Sequence, residues 1–512
     1  MTDSWANPQA GTRVGGVDLH LDPRGSGLRS GLMDALREAV RGGRLAPGTR
    51  LPSSRTLAAD LGIARNTVAA AYTELVAEGW LTARQGSGTR VAARAVPRRA
   101  EPARAAAPDP RGRPSYNLMP GTPDLASFPR QEWIRAARRA LTAAPHDAFG
   151  YGRGEESGRI ELRTALAGYL ARARGVHASP ERIVICSGFA HGLALLGKVL
   201  RARRVREVAV DAYGLPAHRS ILAEAGLRTP PLALDARGTR TDELVGPGGT
   251  GRAAGVGAVL LTPAHQFPTG GALHPERRAA AVDWARATDG LVLEDDYDGE
   301  YRYDRQPVGA LQGLDPERVV YLGTASKSLA PGLRLAWMVL PERLVGEVVA
   351  AKGETDRLSG TPDQLTLAEF ITSGAYDRQI RAARGRYRRR RDQLTAALAD
   401  AAPEVRVTGI AAGLHAVVQL PPGTEQSTLA AARDQGLALQ GLSYFRHPSF
   451  PHSSFPHPSF QHPSFQHPSF PHPSFPHPAA PPGPDALVVG YGTPSDSAWA
   501  GALEALCRVL PS

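Results

Sequence analysis

Apolar residues at positions 28, 32, 36, 39 and 40 recur at helical spacing, which predicts an amphipathic helix that Gly42 and Gly43 end. A serine cap at Ser53 or Ser54 predicts a short helix reaching Leu61, and after Gly62 a longer one runs over 64–79. Two helices joined by a glycine-containing turn form a helix-turn-helix. Its second helix would enter the major groove by its N-terminal end, here Arg65, Asn66 and Thr67. Residues 80–91 read as a hairpin with Gly86-Ser-Gly88 at its tip, and the flanking Arg84 and Arg90 suit phosphate or minor-groove contact. From Tyr116 onward the pattern changes. Short apolar runs alternate with helical ones, as in a parallel sheet with crossover helices, so the larger part of the chain is of the α/β class.

Two stretches carry neither period. Residues 93–115 are rich in Ala, Pro and Arg and read as a basic tether between a domain at 1–92 and a larger one at 116–512. Residues 447–478 repeat His-Pro-Ser-Phe, six times with one Ser-for-Pro change, and recurrent proline predicts an extended, disordered insertion without regular helix or central strand. Charge sharpens the division. Residues 1–115 hold 17 arginines against 10 acids, +7 of the chain's net +11, which points to a nucleic-acid partner for the head. Two cysteines, no apolar run near the bilayer length and no export signal at the N-terminus predict a cytoplasmic protein without a membrane span. No metal-ligand spacing stands out beyond adventitious capture by the repeat histidines.

The candidate chemistry centres on a lysine. Only three occur among 60 basic residues, and Lys327 lies between Thr324, Ser326 and Ser328 with Arg334 seven residues on. A phosphorylated aldehyde needs an amine for a Schiff base, with hydroxyls and a guanidinium for its phosphate. Upstream, an apolar run ending in Asp295, Asp296 and Tyr297 reads as a buried strand that delivers carboxylates and a phenol to its carboxyl end, where open α/β sheets bind ligands, with Asp295 the candidate partner of a ring nitrogen. A carboxylate there would keep a pyridine nitrogen protonated, and a phenol would bond the ring's oxygen. Ser187, Gly188 and Phe189 stand between a strand and a helix and predict an anion site at that helix's N-terminus.

These paired motifs resemble the fold-type-I pyridoxal 5'-phosphate (PLP) aminotransferases, and specifically the aminotransferase-like half of the MocR branch of GntR-type transcription regulators. The head resembles the GntR winged helix-turn-helix over its whole length, in Leu51-Pro-Ser-Ser-Arg55, Arg65-Asn-Thr-Val68, Glu78-Gly-Trp-Leu81 and Gly86-Ser-Gly-Thr89. The resemblance implies DNA contacts from Arg55, Arg65 and Thr67, then Arg84 and the Gly86 and Gly88 backbone. It implies an internal Schiff base at Lys327 and a Tyr151 that reaches the phosphate in the partner of a homodimer. It also implies His265 and Gln266, in His-Gln-Phe-Pro-Thr-Gly, near the ring edge. Two departures stand out. Leu215 occupies the place of the aromatic that stacks on the ring, and Tyr213 would replace it only with a shifted backbone. The closing strand has Val488 and Val489 where aminotransferases often carry a carboxylate-gripping arginine, a role left open to Arg219 or Arg446. The expected function is a PLP-dependent, DNA-binding regulator that senses an amine or amino-acid effector, or PLP itself. The alternatives are an active aminotransferase with an attached head, and a cofactor-free dimerisation domain. Eight arginines in 377–391 are expected to form a solvated helix face.

Overall fold

The computed structural model describes residues 12–14, 17–19, 27–84, 88–93, 114–150, 154, 156–244, 255–303, 308–353, 359–450 and 485–511. The chain divides into two compact units, 1–112 and 113–512. Among the described residues no helix is long and apolar enough to cross a membrane.

The smaller unit comprises α1 (Leu28–Arg41), α2 (Ser54–Leu61), α3 (Arg65–Ala77) and a hairpin of β1 (Leu81–Arg84) with β2 (Gly88–Val91). Ser53 caps α2 by accepting the Thr56 amide at 3.1 Å, and Gly62 ends it in the left-handed region that a side chain would strain. Leu32, Leu36, Val68, Leu75, Leu81 and Val91 close one core, while Leu28 is 51% exposed, outside the stripe to which its spacing assigned it. Arg37 grips Glu78 through two bonds of 3.0 and 2.5 Å, tying α1 to the end of α3.

The larger unit is built on a seven-stranded sheet. Its strands are β3 (Ile183–Cys186), β4 (Val208–Asp211), β5 (Pro231–Leu232), β6 (Ala258–Leu261), β7 (Leu291–Asp295), β8 (Val319–Thr324) and β9 (Ala336–Val339). They lie in the order β3-β9-β8-β7-β6-β4-β5, and only β9 runs antiparallel to its neighbours. Both faces are covered, which is why these strands read as continuous apolar runs instead of alternating ones. Leu291, Leu293, Val320 and Leu322 face one layer, and Val292, Val259 and Val319 the other. The same two-residue period carries past the apolar part of β7. Glu294 turns to the amides of Leu311 and Gln312 at 2.6 and 2.9 Å. Asp296 pairs with buried Arg174, at the end of α4 (Ile160–Arg174), through bonds of 2.7 and 3.0 Å. Asp295, between them, is left to face the carboxyl end of the sheet.

A second sheet of four antiparallel strands forms the small lobe, β10 (Arg406–Thr408), β11 (Ala416–Gln419), β12 (Gln440–Gly441) and β13 (Ala486–Val489), in the order β10-β11-β13-β12. The arginine run falls in the long helix Ala375–Ala401 and is only partly a solvated face. Arg390 is buried and donates to Asp124, Asp496 and the carbonyls of Tyr491 and Pro494, because its side of the helix packs on the small lobe. The first repeat unit is seated, with the His447 amide on the Ala212 carbonyl at 2.8 Å. Residues 451–478 of the repeat, and 94–113 of the tether, lie outside the described residues.

Candidate functional site

A cavity of about 430 Å³ opens at the carboxyl ends of β4, β6, β7 and β8. Lys327 reaches it from the four-residue helix α7 (Ala325–Ser328), which follows α5 (Phe189–Ala202) and α6 (Pro216–Glu224) in the chain. Its amine donates to the Gly121 carbonyl, and burial holds it below its usual range while Asp295 and Asp298 pull the other way. A buried amine with a lowered pKa is a better nucleophile at neutral pH. Tyr301 donates to the Lys327 carbonyl at 3.3 Å, and Tyr376 to Ser328 at 2.7 Å, so the short helix is fixed from below.

Asp295 lines the same cavity. Burial raises its carboxyl well above the carboxylate range against the pull of Lys327, and its Oδ1 has no hydrogen-bond partner. A buried acceptor left open in this way needs a donor from a ligand. Tyr297 also lines the cavity, with its hydroxyl 3.1 Å from His265 Nδ1. His265 and Gln266, expected at the ring edge, stand behind the wall. The Gln266 amide nitrogen bonds Asp211 at 2.9 Å and the carbonyls of Tyr213 and Phe267, and its oxygen accepts the Thr269 amide at 2.9 Å. Its polar atoms are therefore committed to closing the 262–271 loop on β4.

An anion cradle lies beside Lys327. Gly188 precedes α5 with φ of 112°, and a Cβ there would come within 2.6 Å of the Arg334 guanidinium. The α5 N-terminus has no side-chain cap, so the amides of Phe189 and Ala190 face the same space as Arg334, Thr324 and Ser326. Thr324 and Ser326 are themselves bonded at 2.9 Å. Ser187 is not among the lining residues, since its amide donates to His191 at 3.1 Å. Arg334 makes no side-chain hydrogen bond or ion pair among the described residues.

The wall opposite carries the departures. Leu215 lines the cavity, and Tyr213 turns away into the apolar cluster of Phe267, Leu442 and Phe445. His218 also lines the cavity, three residues past Leu215 and thus on the same side of α6, with its ring centroid 4.6 Å from that of Phe189. Burial, Lys327 and Arg219 together push His218 down to about 3, so it is a neutral, flat group at physiological pH. Arg219 lines the cavity too, but its guanidinium donates to the carbonyls of Gly214, Phe445 and Arg446. Sequence reading missed His218, Asp298, His415 and the Gly121 carbonyl. Only His218 left a signal, its helical spacing from Leu215 just after Pro216. Tyr151 lies outside the described residues.

In the smaller unit, Arg55, Arg65 and Asn66 are exposed and Thr67 half-buried at the starts of α2 and α3, and neither helix has an acid in its first turn. Three acids of this unit engage arginines elsewhere, Asp34 and Glu78 with Arg37 and Glu74 with Arg29. Arg84 and Gly88 lie on the exposed hairpin, and Gly86 is outside the described residues.

Residues 28–91 match the family of bacterial regulatory proteins, gntR family, and residues 116–455 match aminotransferase class I and II. The HTH-type pyridoxine biosynthesis transcriptional regulator PdxR of Corynebacterium glutamicum is 33% identical over 81% of this chain and 88% of its own length. The probable rhizopine catabolism regulatory protein MocR of Rhizobium meliloti is 32% identical over 81% of this chain and 87% of its own. Among solved structures, an archaeal alanine:glyoxylate aminotransferase superposes with a TM-score of 0.63 at 23% identity, over 77% of this chain and 90% of that one, a likeness of fold.

Proposed function

Because this chain belongs to the MocR type of GntR-family transcription regulators, with an aminotransferase class I and II domain whose cofactor is PLP, we propose that it regulates transcription by sensing amines at the Lys327 cavity. The residues present fit that cofactor. A buried amine, a carboxyl whose Oδ1 lacks a partner and an uncapped helix N-terminus beside an unpaired arginine converge on one cavity. PLP supplies an aldehyde that condenses with primary amines and a ring that withdraws electrons.

In this reading Lys327 offers the amine, Asp295 holds the ring nitrogen and Tyr297 donates to the ring oxygen. The backbone at Gly188, Phe189 and Ala190, with Thr324, Ser326 and Arg334, binds the phosphate. Tyr151, which lies outside the described residues, would reach the phosphate from a second copy if the protein pairs as the fold-type-I resemblance implies. His218 and Leu215, which line the cavity, would cover the ring in place of an aromatic. Lys327 is the side chain with which an effector amine would compete for the cofactor's aldehyde. Tyr301 and Tyr376 hold the short helix that carries Lys327. Differential affinity for two arrangements of the protein then changes DNA binding through Arg55, Arg65, Asn66, Thr67, Arg84 and the hairpin. PLP itself is the signal in the variant of this reading where occupancy alone sets the state.

Transamination is the weaker reading. β13 offers no arginine for a substrate carboxylate, and the Arg219 guanidinium is already bonded to three carbonyls. The observation that carries the proposal is the buried Lys327 amine facing an acid with an open acceptor. The test is borohydride reduction of the PLP-loaded chain followed by peptide mapping. Label is expected on residue 327 and absent from Lys327→Ala, with operator affinity altered by PLP or an amine in the wild type only. An unlabelled position 327 defeats the reading, and steady turnover with common amino donors replaces it by the enzyme.

A further inference from the structure

We propose that Asp298 and His265 form a positioning dyad behind Tyr297 that turns the phenol proton of Tyr297 into the cavity. The inference rests on the reading of that cavity as the PLP site. His265 Nδ1 lies 2.9 Å from Asp298 Oδ2 and 3.1 Å from the Tyr297 hydroxyl, and all three groups are packed away from water apart from the cavity edge of the phenol. One ring nitrogen therefore meets two oxygens. A proton on Nδ1 satisfies the Asp298 carboxylate, which only accepts.

The other ring nitrogen decides the tautomer. His265 Nε2 is buried and has no partner. A proton there, in a neutral or a charged ring, would bury a donor with nothing to accept it, whereas a lone pair left open costs less. The Nδ1–H form is thus the one the surroundings favour. Tyr297 meets that N–H with an oxygen lone pair, which leaves its own proton two directions, the cavity or Asp298. The open side of its hydroxyl is the cavity, which Tyr297 lines. A donor held in advance of its acceptor costs nothing to reorganise when the acceptor arrives.

The packing is built around the dyad. Gly413 has φ of 72°, and a Cβ on it would come within 2.2 Å of His265 Cε1 and 2.4 Å of Asp298 Oδ2, so only a glycine lets the pair close. His415 lies against the His265 ring at 4.9 Å between centroids and is anchored through Nε2 to the Pro268 carbonyl at 3.0 Å. The titratable groups that act on the phenol are Asp298 and Asp295, from β7 and its exit, and Tyr491 after β13, while Lys327 of α7 and His415 ahead of β11 line the same cavity. The competing arrangement has the phenol donate to Asp298, which lies within side-chain hydrogen-bond reach of Tyr297 and, after burial, raises the phenol both through its charge and through that bond. In that arrangement His265 positions nothing.

The test uses the full chain loaded with PLP and follows its visible absorbance against pH. A donor to the ring oxygen favours the ionised form of that oxygen, so losing the donor raises the titration midpoint. His265→Ala and Asp298→Asn are expected to raise it by at least about half a pH unit, toward the midpoint of Tyr297→Phe. His265→Asn, whose side-chain amide reaches the Nδ1 position, should stay with the wild type. His265→Ala combined with Tyr297→Phe should move no further than Tyr297→Phe alone. An unmoved midpoint in both His265→Ala and Asp298→Asn overturns the dyad. So does a shift that adds to that of Tyr297→Phe, or an Asn variant that behaves as the Ala variant does. Should His265→Ala fail to fold, nitrogen resonances of the labelled wild-type imidazole decide. A proton on Nδ1 supports the dyad and a proton on Nε2 overturns it. A wild type that takes up no visible band fails the PLP reading itself, whereas a normal band with unmoved midpoints fails only the dyad.

Discussion

Asp295 and Asp296 are adjacent in the chain and do opposite work. Asp296 turns into the core, where Arg174 and Tyr321 satisfy it, and Asp295 turns to the cavity with an acceptor open. The pleat of β7 makes the difference, since successive side chains face opposite sides. At the same scale, His218 supplies the flat group that Leu215 cannot. Offset-stacked or edge-to-face contact between aromatic rings contributes about 0.5–1.5 kcal/mol beyond burial, so His218→Ala is expected to weaken PLP binding roughly two- to tenfold. Leu215→Tyr in that background should recover it, as read by titrating the visible band. If His218→Ala binds PLP as tightly as the wild type, the imidazole covers nothing.

At the scale of the element, the helices of the head separate their charges by position. α3 carries Arg65 and Asn66 at its start and Glu74 and Glu78 toward its end, the latter two held by Arg29 and Arg37 of α1. Arg65→Ala should therefore weaken operator binding and lower the slope of affinity against salt by about one, if the contact is to phosphate. Arg37→Ala should leave that slope unchanged and cost less than about 1 kcal/mol in stability, because its pair with Glu78 is partly exposed. Fluorescence anisotropy at several salt concentrations separates the two. The same arginine-rich composition means different things on the helix Ala375–Ala401, where Arg390 is a buried anchor for four acceptors and Arg388 and Arg389 are exposed.

For the whole molecule, the larger unit depends on buried polar groups that lock its layers. Arg174 at the end of α4 and Asp296 beyond β7 are 122 positions apart and almost fully enclosed, 4% and 1% exposed as side chains. Removing one charge strands the other, so Arg174→Ala is expected to cost about 3–5 kcal/mol in chemical denaturation. Arg174→Met with Asp296→Leu should recover much of that loss, since an apolar pair of similar volume avoids the desolvation of both ions. A small effect in the single variant would show that water reaches the pair.

The order of elements, the α/β class and most of the cavity's reactive groups were legible along the chain, because each rests on local spacing. The lysine among hydroxyls, the acid and phenol ending an apolar strand and the glycine between strand and helix keep their meaning wherever the chain goes. Packing at long range decided the rest. Gln266 is held away from the cavity by Asp211, 55 residues earlier, and His265 is turned by Asp298, 33 residues later. His218 reaches the cavity only because Pro216 starts a helix there and α5 brings Phe189 against its ring. A residue's type fixes which bonds it can form, and neighbours far along the chain fix which of them it does form.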